Sequence, residues 1–216
     1  MSHPAKTAER DAVITAALPN VAFDGWSQKT LADAAEAAGL KGAVPRLFPG
    51  GPPDAVAHFM DMADRAMVAD LKAQDLSAMK VRAKVALGVR LRLERWTPHR
   101  EAVRRALSLA PHPAVAGPVL RNWFRVVDLI WRAAGDRSVD FNFYTKRGLL
   151  AAVYGATLMH WLDDRSEGCA ATWAFLDRRI ENVMQVPKIK AKVAEGLKAF
   201  PNPFSLLARA ADRLRP

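Results

Sequence analysis

Two apolar stretches of helical length, joined by one short polar turn, set the tightest limit on what this chain can fold into. Apolar residues recur at helical spacing from Ala114 to Ala134 and again from Asp140 to Leu162. The turn between them is Gly135-Asp136-Arg137-Ser138-Val139-Asp140. Gly135 suits the end of the first helix, and Ser138 or Asp140 can cap the second. The spacing predicts that Trp123, Phe124, Val127, Ile130 and Trp131 on the first helix face Phe141, Tyr144, Leu149, Tyr154, Leu158 and Trp161 on the second. Two readings stand side by side: ordinary bundle core, or the wall of a dry cavity of the kind in which bundles hold apolar ligands. Gly148, Ala151, Ala152 and Gly155 either leave room for a ligand or let helices approach closely.

The rest of the chain fits an all-helical body around that pair. Its 216 residues are enough for one sizeable domain with a small extension, and half of them are hydrophobic. Alanine is abundant, and alternating β-branched patterns are absent. A first helix is expected over about Thr7 to Val21, kinked or shortened at Pro19. A second, Lys29 to Ala38, is capped by Ser27 and stopped at Gly39. Leu40 to Pro53 reads as loop. Long helices follow from Asp54 to about Ala73 and from Ser77 to Arg95, and Thr97-Pro98 breaks the second. Short helical pieces occupy about Arg100 to Ala110. Asp163 to Glu167 reads as a surface turn, with Ser166 capping a helix from about Gly168 to Val186.

Pro187 divides the chain into an expected domain over 1–186 and a tail over 187–216. In the tail Ile189, Val193, Leu197 and Phe200 recur at helical spacing, with Lys188, Lys192 and Lys198 off that stripe. Seven basic residues there face two acids. An amphipathic helix over Lys188 to Phe200 would be about 20 Å long, suited to lying in a membrane interface and too short to span it. Elsewhere no run reaches roughly 18 apolar residues, and the N-terminus lacks the apolar core of a secretory signal. Membrane contact is therefore expected to be peripheral. The same helix can instead pack on its own dimer.

A formal net charge of +10 favours anionic partners. Lys80 to Arg105 concentrates nine basic residues against two acids. That stretch reads as a solvated face, as a face toward an anionic membrane, or as a nucleic-acid contact. The single cysteine, Cys169, excludes an intramolecular disulfide and reads as an ordinary part-buried residue. No glutamate precedes a histidine by three positions, and the five histidines lack ligand spacing. No phosphate-binding or nucleophile-elbow fingerprint occurs. The sequence offers no catalytic residue, no metal ligand and no cofactor site, and the chain is not expected to be an enzyme.

Leu31 to Leu40, with its glycine turn at Gly39 and with Phe48 beyond, resembles the helix-turn-helix of TetR-type regulators. The following recognition helix would hold Gly42 and Pro45, and charges from Gln28 to Gly50 come out near neutral. A DNA reader needs a helix that enters the major groove and a positive surface. The resemblance is to a degenerate motif, and nucleic acid is not expected as a partner.

The run AGDRSVDFNFYTKR, with ALPNVAFDGW, HFMDMADRAM, VRLRLER and WAFLDRRIENVM elsewhere, resembles the lipid-binding accessory proteins of ubiquinone biosynthesis. That resemblance implies a TetR-like helical fold, a homodimer, and a bound isoprenoid or quinone-precursor lipid. It also implies presentation of that lipid to a di-iron demethoxyubiquinone hydroxylase. Lipid-binding residues would be Trp131, Phe141, Phe143, Tyr144, Leu149 and Tyr154. Partner contacts would come from Asp128, Ile130, Asp140, Asn142, Tyr144 and Arg147. Membrane docking would fall to Lys188, Ile189, Lys192, Val193, Leu197 and Phe200. A bacterial form is expected on the inner face of the cytoplasmic membrane, a eukaryotic one on the mitochondrial matrix face. The competing expectation is a TetR-type ligand-responsive transcriptional regulator.

Overall fold

The computed structural model describes residues 4–136 and 141–183, with side chains from 4–136 and 144–183; the expected tail helix and the caps Ser138 and Asp140 lie outside them. Among the described residues there is no strand. The chain divides into two units, 1–177 and 178–216. In the second, 178–183 are helical, and the expected division at 186/187 falls outside the described residues. The first unit holds the helical bundle.

The first helix, α1 (Pro4–Asp24), continues past Pro19 instead of stopping there. Pro19 lacks the N–H that would bond the Thr15 carbonyl, but both residues sit on the exposed side. Water can satisfy the orphaned carbonyl. The opposite side holds the helix in place, because Val13, Ile14, Ala17, Leu18 and Val21 are all buried.

Ser27 caps α2 (Gln28–Ala37) as expected: its Oγ accepts the Thr30 N–H at 3.1 Å. Gly39, at φ +73°, turns the chain out of that helix. The segment read as loop contains one further helical turn, α3 (Val44–Leu47). Val44, Leu47 and Phe48 are buried, and that tertiary anchoring outweighs the local glycines and prolines. Next come α4 (Pro52–Lys72) and α5 (Val81–Glu94). The second starts four residues later than Ser77, because the Asp75 carboxylate accepts both the Ser77 N–H at 2.9 Å and its hydroxyl at 2.6 Å. Those two bonds close a local turn that competes with helix.

A single 3-10 turn, Thr97–His99, leads to α6 (Arg100–Ser108). The apolar pair is α7 (Pro113–Ala133) and α8 (Phe141–Asp163). A second 3-10 turn, Glu167–Cys169, opens α9 over 170–177. Here the expectation of a plain surface turn fails. Asp164 is 7% exposed and accepts four hydrogen bonds, from the N–H and hydroxyl of Ser166 and of Thr172. Burial works to raise its pKa, but those four donors outweigh it and hold the carboxyl well below the usual range. The side chain knots the α8–α9 connection from inside.

Packing places α1 against α2, α4 and α6, while α4 packs on α5 and α7, and α7 on α5 and α8. Trp161, Ile14, Leu31, Met67 and Ile130 are among the largest fully buried side chains, each stabilising by about 1.5–3 kcal/mol. Two glycines within helices let apolar side chains of α7 approach closely. A Cβ on Gly88 of α5 would lie 2.9 Å from Ile130 Cγ2, and one on Gly155 of α8 would lie 2.8 Å from Trp123 Cζ2. The open alternative is thus resolved at Gly155, whose notch is filled by a tryptophan ring of this chain. Gly148 faces open space.

Candidate functional site

An apolar cavity of about 50 Å³ lies where α4, α5, α6, α7 and α8 converge. From α4 come Phe59 and Met60, from α5 and the turn beyond it Arg92, Leu93 and Trp96. The short α6 contributes Val103, Ala106 and Leu107. Val119, Asn122 and Trp123 of α7 face Tyr154, Leu158 and Trp161 of α8. The aromatic walls interlock: Phe59 meets Trp96 edge to face at 4.9 Å between centroids, and Trp123 meets Tyr154 at 4.9 Å. The space is larger than one water needs and smaller than a prenyl unit requires, so any lipid must enter by moving side chains.

A buried ionic cluster floors the cavity. Asp64 of α4 is 2% exposed. It accepts from Arg92 Nε at 3.2 Å, Asn122 Nδ2 at 2.8 Å and Arg125 Nε at 2.9 Å. Burial pushes its carboxyl upward, and the two guanidinium groups oppose that. Burial also raises the Tyr154 phenol, so the ring presents a neutral hydroxyl. Besides Tyr154, two residues of the lining keep donors with no acceptor among the described residues. Trp96 Nε1 is buried without a hydrogen bond. Arg92 is bonded to Asp64 through Nε alone.

Of the residues expected to touch lipid, Tyr154 lines this cavity. Trp131, Tyr144 and Leu149 do not, and the side chains of Phe141 and Phe143 lie outside the described residues. Trp131 is 9% exposed and donates from Nε1 to the Lys146 carbonyl at 3.2 Å, binding α7 to α8 near their turn. Tyr144 is 73% exposed. Of the expected partner contacts, Asp140 and Asn142 also lie outside the described side chains. Ile130 is buried against Gly88. Arg147 is buried, donating to Asp128 at 2.8 Å and to Asp136 at 3.3 Å. Asp128 is half-buried and also pairs with Arg132. Within this chain Ile130 packs α7 on α5, and Arg147 ties α8 to α7 and the turn after it. The membrane-docking set, Lys188, Ile189, Lys192, Val193, Leu197 and Phe200, lies outside the described residues.

Sequence reasoning missed Phe59, Trp96 and the α6 residues as cavity lining. The α4 stripe did contain Phe59, but nothing in the chain announces which helix faces which. The basic stretch also looks different once folded. Arg90, Arg92, Arg95, Arg104 and Arg105 each pair with a carboxylate, and Arg100 donates to the Asp164 carbonyl and to Cys169 Sγ. Lys80, Arg82 and Lys84 remain without a carboxylate partner among the described residues. In the helix-turn-helix region Lys29 pairs with Asp33 at 2.6 Å, Lys41 with Glu36 at 2.6 Å, and Arg46 with Glu9 at 2.8 Å. Among the described residues no group of three His, Cys, Asp or Glu side chains is placed to hold a metal ion. No helix among them is long and apolar enough to cross a membrane.

Comparison with known proteins adds three findings. Residues 116–187 match the family model described as COQ9. The chain is similar to "Ubiquinone biosynthesis protein COQ9, mitochondrial" of Drosophila melanogaster, 32% identical over 210 residues, covering 93% of this chain and 64% of that protein. The Homo sapiens protein of the same description is 31% identical over 181 residues, covering 81% and 57%. The chain thus spans about three fifths of the length of the curated relatives it matches. Among solved structures, a TetR transcriptional regulator from Nitrosomonas europaea ATCC 19718 superposes with a TM-score of 0.67 at 21% identity. That match covers 81% of this chain and 97% of the other. At that identity the likeness establishes the fold: all-α and TetR-like.

Proposed function

We propose that this chain, a homologue of the COQ9 proteins with a COQ9 domain over residues 116–187, is a non-catalytic lipid-binding accessory protein of ubiquinone biosynthesis. It takes an isoprenoid quinone precursor out of the membrane and presents it to the demethoxyubiquinone hydroxylase. The observation that carries this reading is the aromatic-lined apolar cavity, whose walls include residues of α7, α8 and the turn after α5. Two of those helices lie within the matched domain.

The physical need is plain. A polyprenyl precursor is nearly insoluble in water, so a carrier must offer it a dry interior in place of the bilayer. The tail over 187–216 supplies the means of approach in this proposal. Four apolar anchors bound the gain at about 6–12 kcal/mol if all were buried, and ordering the helix removes much of that. The attachment is then reversible. Tyr144, exposed on the helix that carries the buried Arg147, is the side chain we assign to the hydroxylase contact.

The test is flotation of the purified chain with anionic vesicles doped with an isoprenoid quinone precursor, followed by mass spectrometry of lipid extracted from re-isolated protein. The expected result is co-flotation that weakens when Ile189, Val193, Leu197 and Phe200 are made serine, together with recovery of the isoprenoid in the protein fraction. Protein that floats but returns no isoprenoid overturns the carrier role.

The TetR-like fold is the observation behind a second reading, a ligand-responsive regulator. Against it, all three cations of the helix-turn-helix region are paired within the chain, which leaves little charge to attract phosphate. A gel shift that weakens steeply with salt would favour the regulator.

A further inference from the structure

Three buried side-chain nitrogens among the described residues lack any hydrogen-bond partner: Arg10 Nε, Trp96 Nε1 and Arg100 Nε. Only one of them, Trp96 Nε1, belongs to a residue that lines the cavity. The residue is 7% exposed, so solvent outside the protein does not relieve it. A tryptophan placed this deep ordinarily finds an acceptor for its N–H, since an unmade bond is costly in a dry interior. The other buried tryptophans do so. Trp26 donates to the Ala102 carbonyl at 3.1 Å, Trp131 to the Lys146 carbonyl at 3.2 Å, and Trp161 to Thr97 Oγ1 at 3.4 Å.

Arg92 sits four residues before Trp96 and lines the same cavity. Its Nε is held by Asp64, and its terminal nitrogens make no hydrogen bond to described residues. Tyr154 is likewise without a described hydrogen-bond partner, and burial keeps its hydroxyl protonated. Asn122, the fourth polar member of the wall, donates from Nδ2 to Asp64, and its Oδ1 is the one pure acceptor there. The polar inventory of an otherwise hydrocarbon-lined cavity is thus dominated by donors. Such a wall is mismatched to a pure hydrocarbon and matched to an oxygen that only accepts.

We propose that the cavity selects apolar molecules carrying a carbonyl or ether oxygen, which accepts from Trp96 Nε1–H and from the terminal amines of Arg92. This rests on the lipid-carrier reading and deepens it. The oxygen-bearing end is fixed against the end of α5, and discrimination is made there instead of along the hydrocarbon.

The experiment compares geranylacetone, a prenyl ketone, with the prenyl hydrocarbon of the same chain that lacks the oxygen. Each is titrated into the full chain and into Trp96→Phe. Binding is followed by calorimetry, and the indole N–H resonances by nitrogen–proton correlation spectra. In the unsubstituted protein the ketone should bind up to about tenfold more tightly than the hydrocarbon, the value of one net hydrogen bond. One indole resonance, absent from the Trp96→Phe spectrum, should move downfield with ketone and stay in place with hydrocarbon. In Trp96→Phe, which keeps the edge-to-face contact with Phe59, the preference should vanish while hydrocarbon affinity holds. Equal affinity for the two probes, or an unmoved Trp96 resonance, overturns the donor assignment and leaves the carrier reading standing. Failure of both probes to bind overturns the cavity as a ligand site, and the assignment with it.

Discussion

The helix-turn-helix region, α1 to α3, and the cavity region, α5 to α8, share α4 between them and handle polar side chains in opposite ways. In the first, the cations a DNA reader would aim outward are neutralised within the chain, Lys29 by Asp33, Lys41 by Glu36 and Arg46 by Glu9. In the second, Arg92 and Trp96 face an apolar space with donor capacity left over. The backbone shape of a regulator survives in one region while its surface chemistry is closed off. The other region keeps donors that no described residue takes up, which is the ground of the ligand site proposed above. Fold likeness alone would have ranked the two regions the other way round.

The comparison breaks most directly at Asp64. Asp64→Ala leaves the buried Arg92 without a counter-charge, and loss of one partner of such a pair costs about 3–5 kcal/mol. Denaturant titration should show a midpoint lowered accordingly. A loss below about 1 kcal/mol, the range of exposed pairs, would mean that the cluster is wet and that the cavity floor resembles the outer surface of α1–α3.

The next largest effect separates two glycines of one helix. Gly155→Ala drives a Cβ into the Trp123 ring and should destabilise by about 1–3 kcal/mol. Gly148→Ala meets nothing within 4 Å and should stabilise by up to about 1 kcal/mol through helix propensity. Thermal melts of the two variants that shift in the same direction would refute the notch at Gly155.

The smallest effect belongs to the α1–α4 contact. His58 is buried; burial lowers its pKa, and the hydrogen bond with Asp11 at 2.7 Å only partly opposes that. The folded state therefore keeps His58 neutral while the unfolded chain takes up a proton below about pH 6.5. Stability is fully present above that pH and falls as pH drops below it, levelling off beneath the lowered folded value. Asp11 acts further down. Burial works to raise its carboxyl, but hydrogen bonds from Arg65 and His58 outweigh it and lower the pKa, so its contribution is lost only as pH falls below about 3.9. Urea titrations across this range should show the first decline in the parent and not in His58→Gln. A parent curve flat from pH 7 to 5 would place His58 in solvent contact.

Most helices of this fold are legible in the chain because long apolar-rich stretches alternate with glycine- and proline-bearing turns. Ser27, Gly39 and Gly135 act where a local rule places them, whereas Ser166 makes no cap bond in the first turn and accepts instead from Ala171, five residues on. The misses share one cause, a local rule overruled by a distant contact or a distant rule invisible locally. Pro19 is a helix breaker by its own chemistry, but its partner carbonyl faces water. Val44 to Phe48 reads as loop, yet three buried side chains fold it into a helical turn. Asp164 reads as surface, because nothing nearby reveals that Thr172 will close over it. The cavity suffers the same limit. Tyr154 is visible from the pattern of its own helix, whereas Trp96 and Phe59 become wall residues only when α4, α5 and α8 meet.

The Trp123 ring seated against Gly155 also decides where the interior can give way. A ring lodged in a backbone notch acts as a pawl, so α7 and α8 keep their register unless the ring itself swings out. Room for a guest must then come from side-chain movement and not from sliding α7 on α8; α6, nine residues long, offers Val103, Ala106 and Leu107 to the cavity while Arg100 and Arg104 tie it to the end of α8. A guest entering this protein would meet an α7–α8 wall whose register is already set and would have to fit itself to it.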